Sequence, residues 1–323
     1  MNTQENIELA PYTTWKLGGK ARYFVVVKTI EEVREAVELA QTKSLPIFVL
    51  GGGSNILVSD SGFDGLVIKM ELQGIEFGEE AVTSGSGVMM SRLAAESLQK
   101  GFSGLQWAIG LPGTVGGAVF GNSNCWGGST GGSLVGARLL TTNTSPDPSL
   151  VRRGIKEEDQ KYFNFSYDYS KLQDTKEILL EATFKLEKKN SEEIVKARED
   201  LAKVAAERST RQPLGKKVAG STFKALIPTP EIINKISLAG FNYKQGLRDG
   251  YISAGWIIDN ILKLKGFKMG GMQVSDLHAN FFINTGSAKA PDAKKLIDFV
   301  KKECKNKLDI DLEEEIRYVG DFV

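Results

Sequence analysis

"PIFVLGGGSNILVSDSGFDGLVI", Pro46 to Ile68, decides the reading of the fold. An apolar run, Ile47 to Leu50, empties into three glycines, a serine and an asparagine before resuming as Ile56-Leu57-Val58. Upstream, "KTIEEVREAVELAQTKSL" predicts a helix, because Thr29 and Glu32 stand at capping-box spacing and Val33, Ala36, Val37 and Ala40 share one face. Helix then strand makes an α/β unit whose strand points at the glycines, and ligands commonly sit at the carboxyl end of such a strand. Gly51, Gly52 and Gly53 can take conformations closed to other residues and bring main-chain N–H groups close to a bound group. Two readings stand side by side: a plain turn of ordinary turn residues, or an anion cradle built from amides.

The common nucleotide motifs do not fit. A P-loop needs Gly-Lys-Ser/Thr where this chain has Ser54-Asn55, and GxGxxG fails in "SGSGVMM", where Met90 holds the third glycine position. Any dinucleotide is therefore held another way.

The 323 residues, 41% hydrophobic and 25% charged, have the profile of a soluble globular protein. Lys+Arg 41 against Asp+Glu 40 leaves a formal charge of +1, so no global field recruits nucleic acid or an anionic membrane, and an anionic ligand must be met by a local pocket. The N-terminal stretch lacks the pattern of a signal peptide and no apolar run approaches a membrane span, so a cytoplasmic location is expected. Two cysteines, Cys125 and Cys304, and a single histidine, His278, offer neither a disulfide framework nor metal-ligand spacing, so no metal is expected.

Between Val82 and Leu140 the glycines of "SGSGV", "GLPGTVGGAVFGN" and "CWGGSTGG" argue for short strands and close turns. "NSEEIVKAREDLAKVAAERSTRQP" predicts a helix connecting domains, capped by Asn190 and Glu193, with an apolar stripe of Ile194, Val195, Leu201, Val204 and Ala205 and with Pro213 beyond its end. A last helix, "APDAKKLIDFVKKECKNKL", carries the stripe Ala293, Leu296, Ile297 and Val300, and the segments after the connecting helix, from "VAGSTFKAL" onward, suit a smaller α+β domain.

"TTWKLGG" (Thr13 to Gly19), "LGGGSNILVSDSGFDGLVI", "GLQWAIGLPGTVGGAVFGN", "AGSTFK", "AGWIID", "LKGFKMGGMQVSDLHANFFIN" and "LEEEIRYVG" stand in the order and approximate spacing of the UDP-N-acetylenolpyruvoylglucosamine reductase (MurB) family, which the chain resembles over nearly its whole length. The resemblance implies an α+β protein. A two-part FAD-binding region of the vanillyl-alcohol-oxidase type (1–74 and 75–206) would precede a substrate-binding domain (207–323). It implies FAD and NADPH as cofactors and a UDP-sugar as substrate, in a monomer with no nucleic-acid or membrane partner. NADPH would reduce FAD, and a hydride would then pass to the enolpyruvyl carbon, giving UDP-N-acetylmuramate for peptidoglycan.

By the same resemblance, Gly51, Gly52, Gly53, Ser54 and Asn55 would meet the FAD diphosphate, and Pro112, Gly113, Thr114, Gly116, Gly117 and Asn122 would line the flavin, with the aromatic Trp126 nearby. Ser221 in "AGSTF" matches the family's proton donor and Glu315 in "LEEEIR" its C-terminal acid. Alone, Ser221 reads as a turn serine and Glu315 as one of three adjacent acids; in an extended "EIRYV", Glu313 and Glu315 share a face with Glu314 opposite. Arg211, Lys224, Tyr243 and His278 are the substrate-binding candidates, His278 reading equally as a satisfied core residue.

One departure bears on the chemistry. In "FNFSYDYS", Phe163 to Ser170, Asp168 stands where the family has an arginine that steadies a developing enolate. Three accounts are open. The alignment is locally shifted, and Arg208, Arg211, Lys217 or Lys224 supplies the cation; the enzyme is slow; or the chain is a flavin binder or an FAD oxidoreductase acting on another carboxylate. Ala225 follows Lys224 where Asn is usual. The stretch from Ala225 to Ser253 is an insertion that would either cover the sugar-nucleotide, with Tyr243, Lys244 and Arg248 available to phosphates, or form a surface loop.

Overall fold

The computed structural model describes residues 1–125, 127–142 and 154–322, without the side chains of residues 200, 204, 207 and 208. Trp126 and the side chains of Val204 and Arg208, all named above, lie outside the described residues. Packing divides the chain into two units: Met1–Ile7, Ala21–Gly52 and Asp64–Ala206 in the first, Glu8–Lys20, Gly53–Phe63 and Glu207–Val323 in the second. The linear partition drawn from the resemblance differs in two places. Both halves of the expected FAD-binding region fall in one unit, and two early segments join the C-terminal residues.

In the first unit a four-stranded sheet takes the order β1 (Thr3–Glu8), β2 (Lys20–Val27), β4 (Phe63–Met70), β3 (Ile47–Leu50), with β3 and β4 parallel and Leu50 opposite Lys69. The helix α1 (Ile30–Thr42) feeds β3, and its capping box is made as expected: Thr29 accepts from the Glu32 amide while Glu32 accepts from the Thr29 amide. Val33, Ala36, Val37 and Ala40 are all buried against Val25, Val27 and Ile68. Leu140, Ile178 and Leu180 belong to the same core cluster, which explains why the sequence halves at residue 74 do not separate. A second, five-stranded sheet is antiparallel throughout, in the order β8 (Ile155–Asp159), β7 (Leu134–Leu140), β9 (Ile178–Lys185), β6 (Ala81–Gly85), β5 (Ile75–Phe77).

The glycine-rich region holds more helix than its composition suggests. α2 (Met90–Gln99) buries Met90, Leu93, Ala94 and Leu98, an i, i+3, i+4, i+8 stripe whose glycine neighbours all lie outside it. α3 (Val115–Gly121) forms despite its internal glycines because Thr114 accepts from the Gly117 amide at its start and Val115, Ala118 and Val119 are buried. The connecting helix α4 (Ser191–Arg211) carries the expected cap, Asn190 Oδ1 accepting from Glu193 N at 2.9 Å. Its expected apolar stripe is not a buried face: Ile194 is buried and Leu201 half-buried, but Val195 is 54% exposed and Ala205 is exposed. The boundary between the units falls inside α4, which accounts for a helix that meets little core along its length.

The second unit contains an antiparallel sheet in the order β10 (Lys217–Val218), β13 (Phe282–Asn284), β12 (Met272–Val274), β11 (Lys268–Met269), backed by α6 (Ala290–Leu308). Ala293, Leu296, Ile297 and Val300 on α6 are fully buried. Trp15 of the early segment joins this core at 1% exposure, its indole donating to Phe282 O at 2.6 Å, while Asn284 Nδ2 donates to Trp15 O at 2.9 Å. The insertion from Ala225 to Ser253 is a folded excursion rather than a loose loop. Leu226 and Ile252 exchange backbone hydrogen bonds of 2.9 and 2.8 Å at its base, and α5 (Pro230–Leu238) sends Ile236 into the core.

Candidate functional site

Within the first unit, Gly51 and Gly52 lie against the turn that starts α3. A Cβ built on Gly51 would stand 2.6 Å from Thr114 Oγ1, and one on Gly52 would stand 2.7 Å from Gly113 Cα. Neither position leaves room for a side chain, so main chain faces main chain here. The turn opens on a cavity of about 1000 Å³, at the large end of ligand pockets, lined by Gly51, Ser86, Thr114, Gly116, Gly117 and Glu177 among others. Ser86 is 1% exposed and, among the described residues, its hydroxyl has no hydrogen-bond partner, an orphaned polar group of the kind that a bound polar ligand satisfies. Glu177 on the wall is paired with Lys156 at 2.6 Å and accepts from Tyr162 OH at 2.7 Å. Burial pushes its carboxyl upward, but the bonds from Lys156 and Tyr162 outweigh that and hold it below the usual range.

Of the other expected flavin-lining residues, Gly113, Thr114, Gly116 and Gly117 gather at this turn, and Pro112 is exposed at its outer end. Asn122, expected to reach flavin or ribose, instead caps the C-terminus of α3 at φ +46°. Its Nδ2 donates to Ser166 O at 2.7 Å and its Oδ1 accepts from Gly131 N at 2.9 Å, so both ends of the amide are committed to the protein. Asp168 is 8% exposed, at φ +51° in the tight turn closed by Ser166 and Tyr169, with Gln173 Nε2 donating to its carbonyl at 3.0 Å. A left-handed turn position favours a short side chain such as Asp over a long one, which gives Asp168 a backbone reason independent of chemistry.

The remaining loop residues belong to the second unit. Gly53 has φ +64°, and a Cβ there would meet Tyr12 O at 2.1 Å, so packing alone requires a glycine at this position. Three segments converge beyond it. Gly220 N donates to Ser54 O at 2.9 Å, Glu315 N to Thr222 O at 2.9 Å, Lys224 N to Glu313 O at 2.9 Å, and Arg317 N to Asn55 O at 3.1 Å. Asn55 Nδ2 donates to Glu315 O at 3.0 Å. Ser221 and Glu315, separated by more than ninety positions in sequence, thus sit on hydrogen-bonded neighbouring segments.

The three adjacent acids meet different surroundings, in a segment that bends at Ile316 before the strand Arg317–Val319. Glu314 is drawn to Lys301 at 3.0 Å, with Tyr318 OH at 3.5 Å, whereas Glu313 pairs with Lys224 at 3.6 Å while remaining 77% exposed. Glu315 is half-buried, its peptide fixed on both sides. Lys224 is therefore a cation beside this pair of segments, and Arg211 is exposed at the end of α4.

His278 Nδ1 accepts from Asn280 N at 3.2 Å, and its ring stands edge-on to Phe281. Burial, reinforced by Lys265, pushes its pKa down, so the ring is neutral. Tyr243 packs against the core and Arg248 donates to Leu247 O at 2.6 Å within its own loop. Sequence reasoning missed Asn280. Its Oδ1 accepts from Phe223 N at 3.0 Å, its Nδ2 donates to Phe223 O at 2.8 Å, and its carbonyl accepts from Thr222 N at 2.8 Å. It grips the segment immediately after Ser221, and no local pattern in "HANFF" signals such a distant partner.

The comparisons with known proteins match both parts of the chain. Residues 21–144 match the model of an FAD binding domain, and residues 212–319 that of the UDP-N-acetylenolpyruvoylglucosamine reductase C-terminal domain. A UDP-N-acetylenolpyruvoylglucosamine reductase of Lachnoclostridium phytofermentans is 34% identical over 98% of this chain and 93% of its own, and that of Halalkalibacterium halodurans is 36% identical over 98% and 94%. The crystal structure of the reductase (MurB) from Thermus caldophilus superposes with a TM-score of 0.76 at 29% identity, covering 99% of this chain and 100% of that one. With relatives of this identity matched along almost their whole length, the chain belongs to the UDP-N-acetylenolpyruvoylglucosamine reductase family.

Proposed function

We propose that the protein reduces UDP-N-acetylenolpyruvoylglucosamine to UDP-N-acetylmuramate, a peptidoglycan precursor, with NADPH as reductant and FAD as bound cofactor. FAD supplies hydride chemistry between NADPH and the enolpyruvyl carbon. The residues at the first-unit turn fit such a cofactor: Gly51, Gly52 and Gly113 present main chain without side-chain obstruction, and Ser86 offers a buried hydroxyl. Hydride addition leaves enolate character next to a carboxylate, so the protein must hold that charge and protonate the neighbouring carbon. Ser221 donates this proton, Glu315 polarises the enol or relays the proton, and a cation from Lys224 or Arg211 replaces the arginine absent at position 168. Tyr243 and His278 contribute to the substrate pocket, and the protein acts as a cytoplasmic monomer.

The observation that carries this reading is the hydrogen-bonded pairing of the Ser221 and Glu315 segments, locked by Asn55 and Asn280. In the test, Ser221→Ala leaves flavin reduction by NADPH intact and slows reoxidation by the enolpyruvyl substrate about 10²- to 10⁴-fold. Equal loss in the two half-reactions would remove the proton-donor assignment. A second reading, an FAD oxidoreductase acting on a different carboxylate, is favoured by the anion at Asp168. Reoxidation of the NADPH-reduced flavin by a different unsaturated carboxylate, and not by the enolpyruvyl substrate, would select it.

A further inference from the structure

A net charge near zero and a loop of glycines describe an anion site made of main-chain amides alone, but β4 adds a charge to it. Lys69 lies opposite Leu50, the residue before the loop, in the parallel pairing of β3 with β4. Its Nζ donates to Gly51 O. That oxygen and the N–H of Gly52 belong to one planar trans peptide and point in opposite directions. An ammonium on the oxygen therefore polarises an amide that faces away from the lysine. Among the described residues no protein acceptor takes the Gly52 N–H.

Lys69 is half-buried, and burial pushes its pKa down while Glu71 acts in the other direction. A cation held in these surroundings is favoured by a nearby anion.

We propose that Lys69 is a positioning residue of the dinucleotide site, its ammonium fixing and polarising the Gly51–Gly52 peptide so that the Gly52 amide binds a diphosphate oxygen. The proposal rests on the reading of Gly51 and Gly52 as the diphosphate loop. Hydrogen bonds that involve a charged partner are shorter and roughly twice as strong as neutral ones, and here the charge acts through one peptide. Lys69 does not itself line the cavity, whereas Gly51 does.

Lys69→Gln, Lys69→Met and Gly52→Val separate the two assignments. FAD release from each holoprotein is followed by flavin fluorescence after dilution, at low and high ionic strength, beside thermal unfolding of the flavin-free protein. Gln can still donate to Gly51 O but brings no charge, and Met nearly matches lysine in length. Both are expected to weaken FAD binding about tenfold or more and to flatten its salt dependence, with flavin-free stability close to that of the parent. FAD affinity and salt dependence equal to the parent in both variants would overturn the role of Lys69. So would a loss explained by lower flavin-free stability with the salt dependence unchanged. If Gly52→Val releases FAD while both Lys69 variants hold it, the loop reading stands and Lys69 falls. FAD retained by Gly52→Val would remove the loop reading itself.

Discussion

Asn280→Ala tests whether the segment carrying Ser221 is held by side-chain hydrogen bonds. Asn280 is 6% exposed and Phe223 fully buried, so bulk solvent does not reach the groups that the substitution leaves behind. Two bonds are lost, Asn280 Nδ2 to Phe223 O at 2.8 Å and Phe223 N to Asn280 Oδ1 at 3.0 Å. Each leaves a buried backbone group without a partner, at about 1–3 kcal/mol, so unfolding in urea should show a loss of about 2–6 kcal/mol. In the variant that still folds at low temperature, the second half-reaction should slow about 100-fold, the scale expected when a reacting group moves by about 1 Å. Asn280→Asp sharpens the test. It keeps the acceptor for Phe223 N but, ionised, sets a carboxylate oxygen against Phe223 O in a buried site, so at neutral pH it should be no more stable than the alanine variant. Burial raises the carboxyl pKa of such a residue, so the folded state binds the extra proton and the deficit should shrink as pH falls. A loss within about 0.5 kcal/mol for Asn280→Ala, or a pH-independent deficit for Asn280→Asp, would refute the account.

His278 is neutral when folded, whereas the unfolded chain protonates it near its ordinary pKa of about 6.5. Its contribution to stability is thus present above that pH and lost as pH falls from there toward the lowered folded value; urea unfolding of His278→Gln should lack this component, and identical pH profiles for the two proteins would contradict it. Cys304 on α6 is fully buried and its thiol is pushed up to about 12, whereas Cys125 is half-exposed, so iodoacetamide should label Cys125 in the native protein and Cys304 only on unfolding. Equal labelling rates would place Cys304 nearer the surface than its packing allows. Asp168→Arg puts a long side chain at φ +51° and should lower stability by about 1–2 kcal/mol in a thermal melt. A gain in turnover despite that loss would mean the anion limits the rate, and unchanged turnover would leave the cationic role with Arg211 or Lys224.

What could be read from the sequence was local or was repeated along the chain. The Thr29–Glu32 box and the Ala293, Leu296, Ile297, Val300 stripe each depend on residues three or four apart, and both form as the spacing predicts. α2 was hidden because its apolar stripe lies between glycine-rich flanks, and composition averaged over Val82 to Leu140 outweighed a short periodic signal. Ser221 and Glu315 could be singled out only by the ordered motifs around them, since each is locally indistinguishable from a turn serine or a surface acid. The distant partners of the asparagines that hold those residues gave no signal, although Asn55 itself was singled out for the diphosphate. Asn55 reaches Glu315 across 260 positions, and Asn280 reaches Phe223 across 57.

The two groups of the "GGGSN" loop show why residue type alone underdetermines role. Gly52 and Gly53 are adjacent and chemically identical, yet Gly52 is a glycine because it lies on the Gly113 backbone beside the cavity, and Gly53 because a Cβ would strike Tyr12 O. The same ambiguity affects charge. A formal balance of +1 argues correctly against a global field, but a summed charge cannot reveal that Lys69 is brought to Gly51 by the parallel register of two strands. That register is set by packing: Leu66, Ile68 and Met70, alternate residues of β4, share the core cluster of α1, and shifting the strand by one residue would turn that face away and move Lys69 off the loop. The position of this charge on the loop is therefore a consequence of the hydrophobic pattern, so a substitution that slipped β4 should weaken FAD binding without touching any residue that lines the cavity.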